Sequence, residues 1–134
     1  SWAAKRDRMT AVTVTLDLAG AASTDRLMST DAAGYRYAAG RPGVVLVNDP
    51  LETVEAVARA FAIRWLILER ADGGASVVPV FEGTATPGGL GPPLFPPGTE
   101  GVKVVPVCTT PGDPRCQVVA GVVPGAVPVA GAVP

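Results

Sequence analysis

Three short polar clusters supply the groups in this chain that could act on a ligand: Ser29-Thr30-Asp31, Asn48-Asp49 and Glu69-Arg70. Each follows an apolar run that reads as a buried β-strand. In an open parallel sheet, ligands bind beyond the carboxyl ends of the strands, where the strand order reverses. Asp31, Asp49 and Glu69 are therefore expected on one rim. Two carboxylates a few ångströms apart can share general acid–base or glycosidase-like work. A structural reading competes with the catalytic one. Asp31 and Asp49 each stand where a helix needs a cap, and Glu69 has Arg70 or solvent for company. The rim is thus read as a ligand-binding edge, with Ser29, Asp31, Tyr35, Asn48, Asp49 and Glu69 as its candidates and no residue assigned to catalysis. Tyr35 and Tyr37 flank it and offer aromatic faces, although packing is the more ordinary role for them and for Trp65.

Other chemistries lack their parts. The 134 residues contain no histidine, which removes Ser-His-Asp and Cys-His nucleophile systems. No Gly-x-x-x-x-Gly-Lys-Ser/Thr run is present. Gly89-Leu90-Gly91 meets Pro92 and Pro93 where a dinucleotide-binding helix should begin. A net charge of −1 gives no basic surface for nucleic acid, and nothing calls for a cofactor. Cys108 and Cys116 bracket Pro111-Gly112-Asp113-Pro114, strong turn chemistry that folds the intervening loop back on itself. Two thiolates without histidine do not complete a four-ligand zinc site, and the spacing is not Cys-x-x-Cys. The pair reads first as a structural disulfide, which implies an oxidising compartment, and second as two free thiols.

The elements that position these groups follow from patterning. Val44-Val45-Leu46-Val47 and Trp65-Leu66-Ile67-Leu68 enclose Asn48-Asp49-Pro50-Leu51-Glu52, a helix start with Asp49 as N-cap, Pro50 at the first helical position and Glu52 three residues after the cap. Strand, helix and strand over about 25 residues form a βαβ unit with a right-handed crossover. The helix spans 50–62 with Leu51, Val54, Ala58 and Phe61 on its apolar stripe, and Glu55 pairs with Arg59 on the other side. Residues 25–30 form an earlier strand, followed by a short helix from Asp31 to Tyr37. Residues 9–20 favour a helix over a strand. Residues 76–82 suit an edge strand or a short helix begun by Ser76, 84–98 an irregular loop, and 101–107 a last strand. The expected fold is α/β: a small three-layer domain with a mostly parallel sheet of about four strands. Its divisions are an N-terminal segment with a helix (or strand) over 1–24, the α/β unit over 25–117, and an uncharged Val/Pro/Ala/Gly tail over 118–134 that reads as a mobile or extended stretch lying on a neighbour; the alternative function is a structural or interaction module whose apolar tail docks on a partner chain.

The run from Asp25 to Leu51 carries a family likeness. Met28-Ser29-Thr30-Asp31 ends a strand, a tyrosine and Gly40-Arg41 turn follow, then come Asn48-Asp49-Pro50-Leu51 and Trp65-Leu66-Ile67-Leu68-Glu69. The pattern over 25–70, with a weaker echo in Val105–Cys108 and Asp113–Cys116, resembles the C-terminal region of bacterial polytopic membrane glycosyltransferases similar to dolichyl-phosphate-mannose–protein mannosyltransferases. The resemblance implies an extracytoplasmic domain tethered by an upstream transmembrane region, with Lys5-Arg6-Asp7-Arg8 next to the membrane. Its partners would be the rest of its own membrane-embedded chain and a glycan or polyprenyl-phosphate sugar. The family's catalytic acids lie in another segment, so none transfers to this chain.

Overall fold

A computed structural model describes residues 1–46, 48–70, 77–82, 89–96, 101–108, 110 and 112–116. The first helix, α1, runs from Trp2 to Leu18 and is capped by the Ser1 hydroxyl, which accepts from the Ala4 N–H. The strand β1 (Arg26–Ser29) leads to α2 (Ala32–Ala39), β2 (Gly43–Val45), α3 (Leu51–Ala60), β3 (Ile63–Glu69), α4 (Val78–Glu82) and β4 (Val102–Pro106). A 3-10 turn at Pro114–Cys116 follows. Residues 9–20 thus resolve as helix rather than strand, and 76–82 as a short helix. Ser76 and the tail over 118–134 lie outside the described residues.

The four strands form one open sheet in the order β2-β1-β3-β4. β1 runs parallel to both β2 and β3, and β4 is antiparallel to β3, so the sheet is mixed and mostly parallel. The α/β class read from the sequence is therefore right. The chain leaves β1 for β2 on one side and returns to β3 on the other. The connections that carry α2 and α3 therefore run in opposite directions across the sheet. Period-two alternation in the strands feeds both faces. Leu27, Trp65, Ile67 and Val104 pack with Met9, Val12 and Leu16 of α1 and Tyr35 of α2. Met28, Leu66, Leu68 and Val105 pack with Val54 and Ala58 of α3 and with Val80 and Phe81 of α4. This double burial explains why β3 reads as a near-continuous apolar run.

Several local expectations need correction. The N-cap of α3 is Pro50, not Asp49, and no side chain caps this helix. Pro50 is held at ψ 148°, outside the helical region, and its carbonyl accepts from the N–H groups of Thr53 and Val54. Asp49 is therefore one position too early to reach the free amides, and it is exposed. Phe61 leaves the apolar stripe because it is the C-cap, with 48% of its surface in solvent. The irregular stretch also contributes to the sheet: Leu94 bridges Val104 and Leu90 bridges Val107 along the outer side of β4. Glu55 and Arg59 do pair, at 3.9 Å.

Cys108 and Cys116 are joined, with 6.3 Å between their Cα atoms. The loop they close is fastened to the sheet by Arg115, which donates to the carbonyls of Arg64 (2.8 Å) and Val107 (2.6 Å). Asp113 receives the same guanidinium at 2.8 Å.

Candidate site at the sheet rim

The order β2-β1-β3 places the reversal of strand order at the carboxyl ends of β1 and β3, the location where open α/β sheets bind ligands. Ser29 closes β1 and is fully buried. Its Oγ accepts from the Asp31 N–H at 3.0 Å, a side-chain turn that fixes the start of α2. Asp31 is the N-cap of α2: its Oδ1 accepts from the Gly34 N–H at 3.1 Å. Its Oδ2 lies 2.5 Å from the Lys5 ammonium of α1. The hydrogen bond from Lys5 is the main reason the Asp31 carboxyl ionises below the usual aspartate range. Partial burial opposes the shift, and the Gly34 N–H adds to it.

Glu69, at the end of β3, faces Arg8 at 3.5 Å. Lys5 and Arg8 are three residues apart and share one side of α1. The two carboxylates of the rim therefore hold the first turns of α1 against the sheet. Beneath them is Tyr35, 1% exposed, whose hydroxyl has no hydrogen-bond partner among the described residues. Burial pushes its ionisation far upward, and the negative charges of Glu69 and Asp31 push it further, so the group stays a protonated donor at any physiological pH.

Ser29, Asp31, Tyr35 and Glu69 are thus brought together. Asn48 and Asp49 are not: they stand exposed on the bend between β2 and α3. Tyr37 is 83% exposed on the outside of α2, where its ring lies 6.2 Å from that of Trp2. Trp65 is core, and its indole N–H donates to Asp25 Oδ2 at 2.9 Å.

Lys5 and Arg8 are the rim residues that sequence reasoning passed over. A signal existed. Lys5, Met9, Val12 and Leu16 fall on one helical stripe, so a cation at the end of an otherwise apolar stripe must meet an acid on the surface that the stripe covers. Among the described residues no group of three or more potential metal ligands converges. Comparison with known proteins finds no matching family model, no matching curated protein and no matching solved structure.

Proposed function

We propose that this chain is a non-catalytic, extracytoplasmic domain of a membrane glycosyltransferase of the kind it resembles over 25–70, arranged in three layers and helping to position an acceptor or lipid-linked sugar. One observation carries the non-catalytic part. Asp31 and Glu69, the acids nearest the strand-order reversal, are engaged by Lys5 and Arg8 and hold α1 in place. A carboxylate with a fixed cation partner is a poor general base, because the pairing holds its proton affinity low. The Cys108–Cys116 bridge favours an oxidising compartment outside the cytoplasm. Asn48 and Asp49, exposed beside the rim, are the polar pair best placed to meet a sugar hydroxyl.

The test is a heteronuclear NMR titration of the 134-residue chain with a short-chain polyprenyl-phosphate sugar. Amide shifts concentrated at Asn48, Asp49 and the end of β1 are the expected result. A titration that leaves all of them unmoved removes the ligand-positioning role.

A further inference from the structure

Tyr35 carries a hydroxyl that the ion pairs of the rim do not use. The side chain is buried, and the hydroxyl has no hydrogen-bond partner among the described residues. A buried hydroxyl left unpaired is costly, so its position calls for an explanation. Two periodicities aim it at the rim. Tyr35 stands four residues after Asp31, on the same side of α2. Trp65 and Ile67 pack in the core cluster that holds Tyr35, and Glu69 continues their alternation to the end of β3. The negative charges of Glu69 and Asp31 both bear on the ionisation of Tyr35, which puts the three groups within electrostatic reach of one another.

Asp31 and Glu69 offer carboxylate oxygens and Tyr35 a hydroxyl oxygen, three acceptors that match the three N–H bonds of a primary ammonium. The chain's own α1 already supplies cations to this edge, with the Lys5 ammonium 2.5 Å from Asp31 and the Arg8 guanidinium 3.5 Å from Glu69. That occupation is displaceable. The side chains of Lys5 and Arg8 are each 40% exposed, and water and salt screen such pairs. The contact from Arg8 is long for a charge-assisted hydrogen bond. The buried residues of α1 begin at Met9, so the turns before it are held by contacts at the surface. We propose that Asp31, Glu69 and Tyr35 form a binding site for a small primary amine, and that Lys5 is its built-in competitor. The ammonium donates to both carboxylates and to the Tyr35 oxygen, while the Tyr35 O–H donates to Glu69. The site does not depend on the sugar-positioning role given above to Asn48 and Asp49.

The experiment titrates the 134-residue chain with n-butylammonium chloride and follows the side-chain carboxyl carbons of Asp31 and Glu69 and the ring carbons of Tyr35 by NMR. A site that the Lys5 ammonium fills most of the time binds an added amine with an apparent affinity lowered by that occupancy. Lys5→Ala is therefore expected to bind about tenfold more tightly than the parent, and Lys5→Arg to stay close to it. Tyr35→Phe, made in the Lys5→Ala chain, is expected to give back several-fold of the gain. Lys5 is a surface residue and Tyr35→Phe removes only the hydroxyl, so both variants keep the core, which circular dichroism checks. Equal affinity in the parent and in Lys5→Ala overturns the proposal, because Lys5 then competes with nothing. Unchanged affinity on loss of the Tyr35 hydroxyl overturns it as well. So does tetramethylammonium if it reproduces the shifts, since it carries the charge without an N–H to donate.

Discussion

The Lys5 ammonium lies 2.5 Å from the Asp31 carboxylate, and Gly34 is the residue that lets the two meet. A Cβ on Gly34 would stand 2.6 Å from Asp31 Oδ2 and 2.5 Å from the Met9 Cε. Gly34→Ala therefore has to shift both the Asp31 carboxylate that caps α2 and the terminal methyl of the buried Met9. On helix propensity alone the change is favourable by about 1 kcal/mol. Crowding of this severity costs about 1–3 kcal/mol. The expected outcome in urea denaturation is net destabilisation, and a more stable variant contradicts the close packing of α1 on the cap of α2.

Acid sensitivity follows from two aspartates. Lys5 lowers the ionisation of Asp31, and the Arg115 hydrogen bond lowers that of Asp113. A folded-state value below the unfolded one, near 4, means that the unfolded chain binds protons first as the pH drops. The stability contributed is complete above pH about 4 and is lost as pH falls through the lower folded values. Asp113→Asn is expected to flatten the decline in stability measured between pH 5 and 2, taken as order-of-magnitude limits. A decline as steep as the parent's assigns the acid sensitivity elsewhere.

Much of this arrangement was legible before the structure. The apolar runs that became β1 and β3 announced a buried parallel sheet, and Asp31 had the identity and place of a cap. Asp49 misled because capping residues are recognised by type, whereas the backbone at Pro50 decides which carbonyl begins the helix. The polar rim was anticipated at the strand ends, but the ion pairs that Lys5 and Arg8 of α1 make with it were not. Whether Asp31 and Glu69 meet a ligand or a helix depends on where α1 docks, and local patterning does not report contacts between residues 5 and 31 or between 8 and 69. Leu90 and Leu94 escaped notice for the same reason: a single bridge to β4 leaves no periodicity among prolines and glycines.

Arg115 lies 5.0 Å from the centre of the Trp65 ring while serving two backbone carbonyls and Asp113. A planar guanidinium stacks and forks at once, which an ammonium cannot do. Arg115→Lys is expected to lower stability by about 1–3 kcal/mol, with the loss read in chemical denaturation and in the indole resonance of Trp65. Full retention of stability contradicts the clamp.

Ala62 follows the C-cap of α3 at φ 53°, the left-handed region that disfavours side chains. Ala62→Gly removes that strain at the cost of added chain entropy in the unfolded state. Net stabilisation of about 0.5–1 kcal/mol is expected in thermal unfolding. Destabilisation contradicts the strained turn.

The most direct test of a rim engaged by α1 is the carboxyl titration of Asp31 followed by carbon NMR in the parent chain and in Lys5→Gln. The parent is expected to titrate below the usual aspartate range, and the variant to move upward toward it, with the Arg8–Glu69 side of the helix still in place. An Asp31 that titrates at its ordinary value in both chains contradicts the closed rim and returns Asp31 to the list of groups available to a ligand.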